Sequence, residues 1–311
     1  MGAGHAHGHG AGHGHASGRA EDRQRLLLVL TLTSSVVVVE ALGAWWSGSL
    51  ALLADAGHML TDAAGIVIAL CASLIATRAP DPRRTFGYHR VEILAALLNA
   101  VVLLGLCGYL AYAGISRLVD PEDVDAGKML VFAVVGLVAN LTSVAVLTRR
   151  KDSSLNMKGA YLEVLSDAFG SVAAIVAGVL VLTTGFERAD SIASLVIALL
   201  VLPRAWQLLA EVLGVLLEAA PAGIDIEDIR HHLGHAEGVV DVHDLHAWTI
   251  TSGMPALSAH VTVSDEALRT RGVGQILDDL TACVADDFGI DHATFQVEPA
   301  SHRDHELEQH P

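Results

Sequence analysis

Apolar residues fall into six long blocks along the first two thirds of the chain: about Leu26–Trp46, Ser49–Thr77, Val91–Ile115, Met129–Thr148, Met157–Thr183 and Ile192–Leu209. Each is close to the ~20 residues that a helix needs to cross the hydrocarbon of a bilayer. From about Glu218 the pattern changes. IDIEDIRHHLGHA has the period of an amphipathic helix, and VVDVHDLHAWTIT alternates as a strand does. ALSAHVTV predicts a second strand after a Met-Pro turn, DEALRTRGVGQILDDLTACVADDF a helix, and HATFQVE a third strand. The expected architecture is an all-α six-helix transmembrane domain followed by a small α+β domain of order αββαβ. The expected boundaries are a His-rich tail at 1–22, the membrane domain at 23–210, the small domain at 211–299 and a second tail at 300–311.

Composition agrees with a membrane protein. Of 311 residues, 52% are hydrophobic and 17% charged, and the mean hydropathy is +0.48. The formal net charge is −16, with basic residues at the edges of apolar blocks, so nucleic acid is not an expected partner. Cys71, Cys107 and Cys283 stand far apart and form no CxxC pair, which argues against a disulfide framework or a cysteine-rich zinc site. Arg78, Arg83, Arg84 and Arg90 follow the second block, and Arg149, Arg150, Lys151 and Lys158 follow the fourth. The other links are acidic or short, so positive-inside bias places both termini in the cytoplasm. The opening MGAGHAHGHGAGHGHASG has no signal-peptide core. Its His5, His7, His9, His13 and His15 alternate with small residues, a metal-binding composition unable to bury a core and expected to be disordered.

The candidate chemistry lies inside the apolar blocks. The second carries Asp55, His58 and Asp62, spaced three and four residues apart on one helical stripe. The fifth carries Glu163 and Asp167, also one turn apart. Ionisable groups at that depth are costly and mark ion pathways. The two helices run antiparallel, so Asp62 and Asp167 reach comparable depth. One imidazole and up to three carboxylates then suffice for a tetrahedral divalent transition-metal ion, with zinc or cobalt most natural for mixed nitrogen and oxygen ligands. A buried structural carboxylate bonded to Ser or Thr accounts for one such acid more easily than for two matched pairs. Asn99 and Asn140 read as interhelical hydrogen-bonding residues.

SGSLALLADAGHMLTD, TFGYHRVEILAALLNA, LNMKGAYLEVLSDAFGSVA and VHDLHAWTITSG together resemble the cation diffusion facilitator family, within it the zinc, cobalt and cadmium resistance branch. The resemblance spans about Leu26 to Glu298. It implies a homodimeric antiporter in a bacterial inner membrane that moves Zn²⁺ out of the cytoplasm against protons. The transport site falls on His58, Asp62, Glu163 and Asp167. Many zinc-transporting members have His where this chain has Glu163, so the site is harder and more anionic, and Co²⁺ or Cd²⁺ become possible co-substrates. Some members bind a metal between the second and third spans; here PDPRRTFGYH offers arginines instead, and no metal is expected there. The small domain is implied to be ferredoxin-like, to pair across the dimer, and to hold a regulatory ion on His243, His260 and Glu298, with Asp291 or His292 as an addition. His231, His232, His235, His302, His305 and His310 read as solvated. No cofactor is expected, since zinc is the cargo.

Two other classes account for part of the pattern. An intramembrane metalloprotease calls for an HExxH pair, and the chain has none. A metal-sensing receptor accounts for the histidines of the tail but not for ligands at mid-membrane.

Overall fold

The computed structural model describes residues 13–148 and 155–305. Six helices are long and apolar enough to cross a membrane: α1 (His13–Ser47), α2 (Leu50–Ala76), α3 (Arg90–Val119), α4 (Ala126–Thr148), α5 (Leu155–Thr184) and α6 (Arg188–Leu216). All match the apolar blocks, most extended by a turn or so. The difference lies in α1, which begins at His13 within the expected disordered tail. The stretch Ala20-Glu21-Asp22-Arg23-Gln24-Arg25 consists mostly of good helix formers and continues the span backwards. Residues 1–12, with His5, His7 and His9, lie outside the described residues, as do Arg149, Arg150 and Lys151.

The chain forms two compact units. The first takes the described residues up to Ile66 together with Asn99–Trp206. Its main core draws small side chains from all six helices, among them Ala44, Ala51, Ala133, Ala174, Ala177 and Ala205. Close approach of small residues is how helices associate where lipid removes the hydrophobic drive. Large apolar residues such as Val131, Leu199 and Leu200 face outward, as lipid contact requires.

The first turn of α2 is fixed by α6. Gly48 makes the turn from α1 with φ +73°, a conformation that a side chain strains. Asp190, 1% exposed, then accepts from Ser49 Oγ at 2.5 Å, Leu50 N at 2.6 Å and Ala51 N at 3.1 Å. This satisfies donors that a helix start otherwise leaves bare, with a charge suited to the positive end of the dipole. Asp190→Ala should therefore cost about 2–3 kcal/mol, seen as a lower Tm of the detergent-solubilised protein. An unchanged Tm would show that water replaces the carboxylate there.

The second unit comprises Val67–Leu98 and the described residues from Gln207 on. It contains α7 (Ile226–Gly234), β1 (Val239–Thr251), β2 (Met254–Val263), α8 (Asp265–Thr270), α9 (Val273–Phe288) and β3 (His292–Pro299), then a 3₁₀ turn over Ala300–His305. The sheet has order β1-β2-β3, with β1 antiparallel and β3 parallel to β2. Ile229 and Leu233 of α7 and Ile276, Leu280 and Val284 of α9 pack on the sheet's Val242, Leu257, Val261 and Val263. The expected αββαβ order is present with one correction. The single helix over 265–288 is two, because Gly272 takes φ +79° between them. Within this unit Arg90 pairs with Glu218 at 3.0 Å, and Thr251 Oγ1 donates to Glu92 at 2.9 Å. The 3₁₀ turn falls where the second tail was expected, and residues 306–311 lie outside the described part.

Candidate metal centres

The membrane cluster is built on the stripe of α2. His58 is 6% exposed, with Nε2 3.6 Å from Asp62 Oδ2 and 3.9 Å from Asp167 Oδ1. The first contact is one turn along α2; the second reaches α5. Glu163, one turn before Asp167, lies against Asp62. The structure thus brings together four residues that the sequence singled out, with His58 as the hub. Asp167 Oδ1 and His58 Nδ1 are buried without a hydrogen-bond partner. Asp62 and Glu163 lie within hydrogen-bonding reach of each other, while His58 stands off both Asp62 and Asp167 by more than a hydrogen bond.

Two neighbours were not anticipated. Arg204 of α6 places Nη1 3.4 Å from Asp62 Oδ2, putting a fixed positive charge beside a candidate ligand. Its only sequence signal is an arginine inside an apolar block, next to Pro203. Glu40 of α1 is wholly buried and lies against Asp55, itself 1% exposed. Ser171 Oγ is 3.4 Å from Glu40 Oε1 and 3.2 Å from Asp55 Oδ2. Asn140 Nδ2 donates to that same Ser171 oxygen at 3.3 Å. Asp55 therefore belongs to a second polar cluster rather than to the His58 site. A lone acid in VVVVEALGAWW was the available clue to Glu40.

In the small domain, His243 of β1 and His260 of β2 are paired in register. Glu298 Oε2 is 3.6 Å from His243 Nε2, and Glu298 Oε1 is 3.1 Å from His260 Nδ1. Among the described residues these three form the group whose ligand atoms all lie within 4.8 Å of one another. His243 and Glu298 are buried and His260 half-buried. Asp244, at φ +46°, sits in the register shift between His243 and His246. The bulge brings its Oδ2 to 3.9 Å from His260 Nδ1. Strained backbone of this kind concentrates at functional sites.

Asp291 and His292 are not part of this group. His292 opens β3 opposite Ala256, whereas Glu298 pairs with Thr262 near the other end of the strand. Six residues of strand separate them by about 20 Å. The His292 ring instead meets Phe86 edge-on, with centroids 5.5 Å apart. His246 is exposed, as are His231, His232, His235 and His302. The His231 and His235 rings lie tilted to each other, with centroids 4.2 Å apart, at the end of α7. Of His13, His15 and His305 only the backbone is described, and His310 lies outside. The backbone N–H of Arg83, with the Tyr88 hydroxyl and the Arg84 guanidinium, holds the Asp81 carboxyl below the usual range.

Comparison with known proteins places this geometry in context. A family profile described as the cation efflux transmembrane domain matches residues 26–217, and one described as the cation efflux protein cytoplasmic domain matches 221–300. The chain is 43% identical over 274 residues to the metal cation efflux system protein CzcD of Cupriavidus metallidurans, covering 88% of this chain and 86% of that one. It is 40% identical to the cadmium, cobalt and zinc/H⁺-K⁺ antiporter of Bacillus velezensis (86% and 85% covered). It is 39% identical to the zinc transporter ZitB of Escherichia coli (84% and 83% covered). A solved metal-bound C-terminal domain of a CzcD transporter aligns with 24% of this chain and 99% of its own, at 33% identity and a TM-score of 0.22.

Proposed function

Because the chain belongs to the cation efflux family of membrane transporters and is no enzyme, we propose that it exports Zn²⁺ from the cytoplasm in exchange for protons, with Co²⁺ and Cd²⁺ able to use the same path. The observation that carries this reading is the placement of His58 between Asp62 and Asp167, on two different membrane helices. A divalent ion entering between α2 and α5 meets one nitrogen and several carboxylate oxygens, a set that suits zinc and cobalt. Glu163 supplies an oxygen where a second imidazole would make the site softer.

Transport proceeds by alternating access, with helices rocking around a fixed site. Metal and protons compete for the same lone pairs, so a proton gradient drives metal outward. His58 takes part in that competition, since an imidazole ordinarily titrates near neutrality. The protein works as a homodimer with both termini in the cytoplasm, in a bacterial inner membrane. The group of His243, His260 and Glu298 binds a regulatory zinc ion, with Asp244 beside it. Occupation of that site draws the paired domains together and favours the packing competent for transport.

Sealed proteoliposomes with an imposed pH gradient test the reading. They should accumulate zinc, and cobalt and cadmium more weakly, and uptake should collapse when the gradient is dissipated. His58→Ala should lose the proton-coupled part of zinc flux. Zinc binding by the wild type without any flux would favour a metal-sensing receptor instead.

A further inference from the structure

We propose that Glu40 and Asp55 form a proton-holding pair, separate from the metal ligands, that carries one of the protons exchanged for metal. The proposal rests on the transport reading above and assigns its counter-ion to particular side chains.

The two carboxyls come from α1 and α2 and have almost no exposure, 0% and 1%. They lie within hydrogen-bonding reach of each other. Their donors can be counted. Asn140 spends an N–H on Ser171 Oγ. Ser171 has one hydroxyl proton and faces three acceptors: Glu40 Oε1, Asp55 Oδ2 and the Asp167 carbonyl oxygen at 3.2 Å. Among the described residues no lysine, arginine or backbone N–H donates to either carboxyl. Glu40 Oε2 and Asn140 Oδ1 are buried without a hydrogen-bond partner. Carboxylates only accept hydrogen bonds. Two ionised ones side by side in a dry interior, with one hydroxyl between them, are opposed by repulsion and desolvation unless a cation stands close by. A single shared proton completes the network.

The chain also makes room for the pair. A Cβ at position 136 would stand 2.1 Å from Glu40 Oε1, and one at position 170 would stand 2.4 Å from Asp55 Oδ1. Gly136 and Gly170 therefore seat carboxyls, and helix contact is a secondary use of these glycines.

Placement links the pair to the metal. Asp55 is one turn before His58 on α2, and Ser171 one turn after Asp167 on α5. The charged group facing the pair is Asp167 on α5, with Glu163 a turn before it, His58 a turn beyond Asp55 on α2, and Arg204 of α6 on Asp62. From α4 comes Asn140, uncharged, which reaches the pair through Ser171. Arrival of Zn²⁺ from the cytoplasm raises the local potential, and one proton leaves the pair toward the cytoplasm. Departure of Zn²⁺ on the far side restores the negative field, and one proton enters from that side. The pair thus adds one proton that alternates with metal without occupying a metal ligand, beside the competition at His58.

Full-length protein in proteoliposomes, compared with its Glu40→Gln and Asp55→Asn variants, tests the pair. Each substitution keeps the size of the side chain and removes its ability to ionise. Both variants should bind zinc within about 3-fold of wild type by calorimetry, and should still pass zinc down a zinc gradient. Uphill accumulation should fall, and protons released per zinc bound should fall by about one. In wild type, zinc should also remove an infrared stretch of a protonated carboxyl that Glu40→Gln lacks. The wild-type half of that measurement does not depend on how the variants fold, and absence of the stretch in wild type overturns the proposal. Zinc flux in wild type with both variants still fully coupled overturns the pair alone. A wild type that moves no zinc overturns the transport reading and the pair with it.

Discussion

Full-length protein carrying Asp167→Ala should take up zinc into sealed vesicles about 100-fold more slowly than wild type, or not at all, and Asp62→Ala should do the same. Asp167 stands 3.9 Å from His58 and is 3% exposed. Its removal leaves an ion between α2 and α5 with no oxygen from α5 other than that of Glu163. A dehydrated dication cannot recover such a ligand from lipid. Asp62 differs in its contact with Arg204 at 3.4 Å. Loss of that carboxylate also leaves the guanidinium facing the site, so repulsion adds to the missing ligand. Initial rates of radiolabelled zinc uptake measure both. Normal rates in either variant would remove that carboxylate from the site.

Zinc binding at the small domain should fall by about 10- to 100-fold in His243→Ala or Glu298→Ala. Calorimetry on full-length protein already carrying Asp62→Ala isolates this site from the one in the membrane. Glu298 touches both histidines, at 3.6 and 3.1 Å, so its loss should exceed that of His260→Ala, whose ring is half-buried and near Asp244. In the otherwise wild-type chain the same substitutions should raise the zinc concentration needed for half-maximal flux. Maximal flux should stay near normal, because none of these residues lies among the membrane ligands. An unchanged zinc dependence would show that the tail plays no regulatory part.

Which features were legible from sequence follows from how local their signals are. Six apolar runs of spanning length gave all six helices, because burial in lipid is a property of a whole segment. Spacings of four residues gave His58 with Asp62 and Glu163 with Asp167, because one helical turn is also local. The antiparallel sense of the two spans brought the pairs to one depth. Contacts resting on helix rotation about the bundle had no such signal. Arg204 and Glu40 each stand alone in apolar surroundings, and nothing in their own helices says which neighbour they meet. Asp55 shows the same limit: it shares a stripe with His58 but turns toward Glu40 and Ser171. In the small domain, alternation placed His243 and His260 on adjacent strands. The parallel register of β3, which sets Gln296 opposite His260 and Glu298 opposite Thr262, is set by tertiary packing. The left-handed backbone of Asp244 and the break at Gly272 are single-residue events inside otherwise regular patterns.

The grip of Asp190 on Ser49, Leu50 and Ala51 bears on how the bundle can move. Three bonds to one buried carboxylate act as a pivot: while they hold, any tilt of α2 must swing about that end or drag the start of α6 with it. Leverage then grows with distance along α2, so His58 and Asp62, two to three turns away, sweep a wider arc than the anchored residues.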